Sequence, residues 1–550
     1  MINVFLKDID NTNEVFMNSE TSDVVIIGAG IAGLITAYEC LNKNMSVTIL
    51  DRDTEDNLGG LAKLAFGGMA LVNTSLQRKM GIRDSPDIAR KDWYSFASFN
   101  EEDYWPKKWA DYYIQNSAEY VYQWLLDHGV KFFPVVNWVE RGRQGDGNSL
   151  PRYHVIWGTG YRLVEVFVNL LKSHKNKDKL EILFKHKVFE FIYENDQISA
   201  CLALDEGLGE KKEFRAKHVV AACGGMTGDL QKVRKNWYKP WGEAPSEILN
   251  GSHQFADGLI HDVLNQHGAN VTHLDKMWNY AAGIPHPQAM FQDQGLSLIP
   301  CKSALWLDHI GQRIGPEPLM TGFDTNELCR RVSQLDKPYT WQVLNWRIAK
   351  KELAISGSEH NRSIRDRKLF SFMKEVLFGN NKLIRQLQSE SDHFIVANNL
   401  PALVSKMNAL NRDQSIKLQK LERVVKDYDD MINLGKALWN DDQLRKIQQA
   451  RAWRSDRVRT CKPKAILDEN SGPLIAVKLR LISRKSLGGI QTNLESQALN
   501  HEGEVIKGLY AIGEAAGFGG GGASGFKSLE GTFLSGCILT ARAAAHSITQ

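Results

Sequence analysis

Residues 24–27 form an unbroken apolar run, which glycines interrupt before the apolar positions of 31–43 recur at helical spacing. A second run, Val47–Leu50, ends abruptly at Asp51. Short apolar runs bounded by glycine or charge read as buried strands, so this region predicts a β-α-β unit. From Pro106 a helix carrying Trp109, Tyr113 and Trp124 is expected to run to a stop at Gly129, and another starts after Gly160. "LEILFKHKVFEFIYENDQISACLAL" reads as strands turning at residues 194–196, and "AKHVVAACGG" as a further buried strand ending in glycines.

Between about residues 229 and 462 the pattern changes. Aromatic and proline-containing segments come first, then helices. The clearest has Leu418, Leu421, Val425, Tyr428 and Ile432 on one face. Beyond residue 463, "PLIAVKLRLISRKSLGGIQTN" and "GEVIKGLYAIGEAAG" return to strands and glycine turns. The expected organisation is an extension over 1–21, a nucleotide-binding α/β domain over 22–228 and 463–550, and an inserted domain over 229–462. A chain of 550 residues exceeds what one hydrophobic core usually serves, which agrees with two domains.

Composition narrows the partners. A net charge of +4, with basic and acidic residues interspersed, gives no reason to expect nucleic acid. The 7 cysteines are scattered without a CxxC pair, so neither a disulfide framework nor a metal site is expected, and a cytoplasmic, reducing location fits. The first residues do not read as a signal peptide. The most apolar run, 24–37, is too short to cross a bilayer, which leaves peripheral membrane contact open.

The chemistry lies in the glycines. Gly28, Gly30 and Gly33 form GxGxxG between a strand and a helix: one makes a tight turn, one admits a pyrophosphate, and one packs helix on strand. Ile31 and Ala32 begin that helix, whose N-terminus favours phosphate, and Asp51, followed by Arg52, stands where a carboxylate accepts ribose hydroxyls. Three further glycine sites follow. "LGGLAKLAFGGM" supplies Gly59, Gly60, Leu61, Ala62, Gly67 and Gly68; "AACGGMTG" supplies Ala222, Gly224 and Gly225; "GEAAGFGGGGASGFKSLEGTF" supplies Gly513, Glu514, Ser528 and Leu529. A dinucleotide touched at four separated places fits a long, buried FAD better than an exchangeable NAD.

"GGLAKLAFGGM", "KSLGGIQTN" and "KGLYAIGEAAG...LEGTFLSGC" resemble the fumarate reductase and 3-ketosteroid dehydrogenase superfamily of flavoproteins, from about Asp23 onward. The resemblance implies a Rossmann-type FAD-binding domain interrupted by an α+β capping domain, with substrate between them over the isoalloxazine ring. It also implies that Val188 meets the adenine through its backbone and that Glu514 lies near the ribityl chain. A helix starting near Ser528 would point its N-terminus at the flavin, and the glycine run would be small because flavin and substrate approach it. The histidine that tethers FAD in succinate-oxidising relatives falls near Leu61, so a non-covalent FAD is implied. Dicarboxylate-clamping residues lack counterparts. The glycine and tyrosine that polarise a steroid ketone fall on Gly522 and Phe526.

Flavin oxidation of a carbon–carbon bond beside a carbonyl requires a donor to the oxygen and a base for the α-proton. Lys527 and Lys485 are candidates to polarise the oxygen, Arg484 to neutralise an acidic group, and Tyr280 to act as acid or base; Tyr153 and His154 rank below them, a histidine beside tryptophan being commonly core. The expected function is an FAD-dependent dehydrogenase acting on a neutral, largely apolar, ketosteroid-like small molecule, with its electron acceptor unassigned. The alternatives are a fumarate-reductase-like enoate reductase and a non-catalytic flavin-binding protein.

Overall fold

The computed structural model describes residues 19–550. The expected N-terminal extension lies outside these residues except at its end, where Ser19 already begins strand β1 (Ser19–Ile27). The predicted β-α-β unit follows: β1, helix α1 (Ile31–Asn42) and β2 (Val47–Leu50), with Val24 opposite Val47 in parallel register. The other neighbour of β1, Glu210–Ala221, is also parallel. Val24 and Ile26 pack into a core with α1, while Val25 and Ile27 pack into a separate core with Val219 and Leu264, so both faces of the strand are buried and the run is apolar without alternation.

The parallel part of this first sheet runs Leu180–Leu183, β2, β1, Glu210–Ala221, Val505–Ala511. An antiparallel meander, His186–Glu194 and Gln197–Asp205, extends from Glu210–Ala221. Helix α1 packs against the C-terminal helix Thr532–Ile548, and Thr36 donates its hydroxyl to Ala541 O at 3.4 Å. The helix expected from Pro106 is continuous but not uniform: Tyr104–Asn116 passes through a π-helical turn, Ser117–Gln123, into Trp124–Asp127.

A second sheet forms around the long strand Leu474–Ser486. Met277–Pro285, Thr340–Asn345 and Phe394–Ala397 pair with it antiparallel, and Ile248–Asn250 parallel. Helix Leu418–Asn433 buries Leu421, Val425 and Tyr428 in the same core, as its periodicity predicts. The expected boundaries need correction at both ends. Strand 474–486 pairs in the second sheet although the 463 boundary assigned it to the first. Its apolar run, buried on both faces, would suit either sheet equally. Conversely, helix Leu259–Gln266, assigned to the inserted segment, packs Ile260, Val263 and Leu264 with Val188 and Val219 of the first sheet.

Candidate active site

The two sheets enclose one large cavity of about 410 Å³, lined by residues from both. Its first part lies over the carboxyl ends of β1 and β2. Helix α1 starts just after Gly30 with no side chain capping its free N–H groups, and a Cβ built on Gly30 meets nothing within 4 Å. That combination, bare amides facing open space, is what a phosphate needs. Gly28, with φ +110°, turns the chain so tightly that a Cβ would stand 2.5 Å from Ala222 O. Asp51 is fixed by two backbone amides, Ala29 N on Oδ2 at 2.6 Å and Asp53 N on Oδ1 at 2.7 Å.

Nearly all the glycine-site residues converge on this wall. Gly28, Gly30, Ile31, Ala32, Asp51, Arg52, Gly59, Gly60, Leu61, Ala62, Gly67, Gly68, Val188, Ala222, Gly224, Gly225, Gly513 and Glu514 all line the cavity. Three do not. Gly33 lies behind it, where a Cβ would stand 2.1 Å from Gly28 O, so this glycine packs helix on strand. Ser528 and Leu529 precede the C-terminal helix, which starts at Thr532 rather than near Ser528; Ser528 bonds to Ser524 and Thr532, and Leu529 is core. Glu530 and Gly531 take their place on the wall.

Within the glycine run the close contacts come from the protein itself. A Cβ on Gly519 would stand 2.5 Å from the Trp109 ring, and the runs's next residue, Gly520, lies against the Trp105 backbone. Gly519 and Gly520 are small because helix Tyr104–Asn116 lies directly on them, Gly521 packs on Thr272 and Gly522 on His273, and none of the four lines the cavity.

Arg52 and Asp53 border the first part of the cavity together. The Arg52 guanidinium bridges Glu206 and Asp257, each at 3.0 Å, and lies over Phe255. Burial opposes ionisation of Asp53, yet bonds from His253, Asn57 and Thr54 N outweigh it and hold the carboxyl down at about 2. Deeper in, Lys485 Nζ stands 3.8 Å from Glu514, whose Oε1 accepts the Ser486 amide at 2.9 Å. Burial pushes the lysine down and the carboxyl up. Gly225 leaves the room this carboxylate occupies, since a Cβ there would meet Glu514 Oε1 at 2.5 Å.

The far part of the cavity is built mainly of apolar and aromatic groups, including Trp278, Leu298, Trp306 and Phe533. Four titratable groups are set among them. The Tyr280 hydroxyl donates to Glu530 Oε2 at 2.8 Å, and Trp278 Nε1 donates to the same oxygen at 3.1 Å. Burial raises both Tyr280 and Glu530. Glu140 sits in the left-handed backbone region, φ 48°, and accepts Thr325 N at 3.0 Å and Thr325 Oγ1 at 2.5 Å. Burial pushes its carboxyl up to about 8. Tyr153, also raised by burial, lines the cavity, and its hydroxyl has no hydrogen-bond partner among the described residues.

Of the four catalytic candidates, Tyr280, Arg484 and Lys485 line the cavity. Arg484 is tied to Gly251 O at 2.7 Å and lies 5.7 Å from the Tyr280 ring centre. Lys527 does not line it; its ammonium pairs with buried Asp324 at 2.8 Å. Phe526 packs on Tyr238 and Trp241, and neither it nor Gly522 reaches the wall. Of the two lower-ranked candidates, Tyr153 is on the wall, whereas His154 is buried in the core, bonded to Thr74 Oγ1 at 2.8 Å. Glu140 and Glu530 are unforeseen. The one local signal for Glu530 is an acid just before an apolar helix, which ordinarily marks a cap.

Residues 23–534 match the model of the FAD binding domain family. The chain belongs to that family. A KsdD-like steroid dehydrogenase of Mycobacterium tuberculosis is 38% identical, over 96% of this chain and 96% of its own. Among solved structures, the 3-ketosteroid delta1-dehydrogenase of Sterolibacterium denitrificans superposes with a TM-score of 0.69 at 14% identity, covering 96% of this chain and 99% of that one. The open form of a flavocytochrome c3 fumarate reductase gives 0.67 at 17%, covering 96% and 78%. These structures share the fold. As an FAD binding domain protein, the chain is an FAD-dependent oxidoreductase related to KsdD-like steroid dehydrogenases. The bare α1 amides, the turn at Gly28 and the space at Gly30 fit that cofactor.

Proposed function

We propose that this protein is a dehydrogenase that exchanges a hydride between FAD and an activated carbon–carbon bond of a neutral, largely apolar, ketosteroid-like ketone. In this reading FAD is held non-covalently along the first sheet, with Asp51 at the adenosine ribose, Val188 at the adenine, α1 at the pyrophosphate and Glu514 at the ribityl chain. Leu61 offers no nucleophile for a covalent tether. The second sheet caps the substrate. The observation that carries the proposal is the far end of the cavity, where two phenols and two carboxyls of raised pKa stand in an apolar, aromatic wall.

Bound FAD supplies the hydride acceptor. Tyr153, its hydroxyl unpaired, donates to the substrate carbonyl oxygen and stabilises the charge that builds there. Tyr280 takes the α-proton on Oη while passing its own phenolic proton to Glu530 Oε2, so no free phenolate forms. The carbon–hydrogen electron pair stays with the substrate as an enolate, from which the hydride departs at the β-carbon. A carboxylate with raised pKa suits the receiving end, because a stronger base draws the proton across. Glu140, protonated at neutral pH, adds a neutral carboxyl to the wall and no second charge.

Arg484 is committed to the Gly251 carbonyl, and Lys485 stands beside Glu514; this supports a neutral substrate over a dicarboxylate. Anaerobic mixing of the yellow protein with a saturated 3-ketosteroid tests the proposal. Bleaching of the flavin is expected; failure to bleach with any ketone, alongside fast reduction by succinate, would overturn the substrate class.

A further inference from the structure

Helix Leu369–Phe378 buries none of its residues. Phe370 is 86% exposed, Phe378 72%, Leu377 63%, Leu369 53% and Met373 45%. At 100° per residue these five occupy one half of the helix circumference. The opposite half holds the helix to the protein: Phe372 packs edge-on against Phe133 and Trp157, Glu375 accepts the Ser363 hydroxyl at 2.6 Å, and Lys351 donates to Val376 O at 2.8 Å. The helix is therefore anchored along one side while presenting large apolar groups to solvent. A soluble surface seldom leaves so dense a cluster uncovered.

The charges around it are one-sided. Arg362, Arg367, Lys368, Lys374, Lys382 and Arg385, on the helix or in the stretches flanking it in sequence, are exposed. Of the nearby acids, Asp366 is paired with Arg365 at 2.7 Å and Lys368 at 3.6 Å, and Glu375 is turned to Ser363. Aromatic and aliphatic groups flanked by long cationic side chains suit the boundary between headgroups and acyl chains, where the cations reach outward to phosphates. A second copy of the chain suits it less. A two-fold contact would lay this cationic rim against its own image, and one short helix offers little of the roughly 800 Å² per partner that stable interfaces bury.

We propose that helix Leu369–Phe378 docks the protein on an anionic lipid bilayer. The segment leading into it connects to the cavity: Ser356 lines the wall, and Ser358 is clasped to Lys63 O and Leu64 O, next to wall residues Leu61 and Ala62. Docking in this orientation holds the apolar part of the cavity near the bilayer, from which an apolar substrate would be drawn. The docking itself stands independently of the reaction proposed above.

The test is sedimentation of the FAD-loaded full chain with phosphatidylglycerol–phosphatidylcholine vesicles and with phosphatidylcholine vesicles. Binding to the anionic vesicles should be tighter by about tenfold or more and should weaken with salt. Combined Phe370→Ser, Leu377→Ser and Phe378→Ser changes should abolish it without altering flavin content, and Lys368→Glu with Lys374→Glu should reduce it several-fold. The proposal is overturned if wild-type protein binds neither vesicle type, or if the serine changes leave binding intact. It is equally overturned if the wild type is a dimer that those changes render monomeric.

Discussion

The Tyr280 hydroxyl and the Glu530 carboxylate meet at 2.8 Å, bringing strand Met277–Pro285 of the second sheet to the turn that starts helix Thr532–Ile548. The contact joins the second sheet to the segment that packs on α1. Nothing else in the cavity offers a phenol and a carboxylate so directly coupled among the described residues. In the proposed reaction Glu530 is the end of the proton path.

Glu530→Gln keeps the shape and can still accept from Tyr280 and Trp278, but it cannot take a proton. Turnover with ketosteroid is expected to fall by about 10²–10⁴ while FAD content stays at wild-type level. Glu530→Asp should recover part of the rate. Steady-state kinetics beside the flavin-to-protein absorbance ratio reads both effects.

Gly28→Ala places a Cβ 2.5 Å from Ala222 O at a backbone φ of +110°. The strain should destabilise the fold by about 1–3 kcal/mol and distort the phosphate turn. Purified variant should carry much less FAD, measured by absorbance, and its urea midpoint should fall.

Glu140 gives a pH signature. Its carboxyl rises from 4.5 to about 8 on folding, so between these values the folded state binds the extra proton. Stability contributed by this group is therefore intact below about 4.5 and declines as pH rises through about 8. Glu140→Gln, neutral throughout, should flatten that decline in urea midpoints measured across the range. An unchanged slope would remove Glu140 from the account.

Lys527 separates structure from catalysis. Lys527→Met should leave kcat within about twofold, because the side chain does not reach the wall. It leaves Asp324, which caps helix Thr325–Ser333 through the Glu327 amide, buried without its cation. A loss of about 1–3 kcal/mol is expected, visible as a lower unfolding midpoint.

Local patterns in the sequence carried the first sheet and the cofactor wall. Residues 24–33 contain strand, turn and helix start within one stretch, so GxGxxG and its βα setting can be read together. The substrate end could not be read this way. Glu140, Tyr153, Tyr280 and Glu530 come from four distant segments; Tyr280 alone stands out as an acid or base, and nothing in the sequence ties it to Glu530 or to the other two. Strand 474–486 was misplaced because burial on both faces erases the alternation that distinguishes one sheet from another. The glycine run is ambiguous for a related reason: close approach by Trp109 and close approach by a flavin select the same residue.

The most direct test is single-turnover, anaerobic reduction of bound FAD by a saturated 3-ketosteroid, compared between wild type and Tyr280→Phe. The account predicts stoichiometric FAD in both, rapid bleaching in the wild type, and bleaching slower by about 10² or more in the variant. Equal rates in the two proteins, or a wild-type flavin that stays oxidised with ketosteroid yet is reduced by succinate, would contradict it.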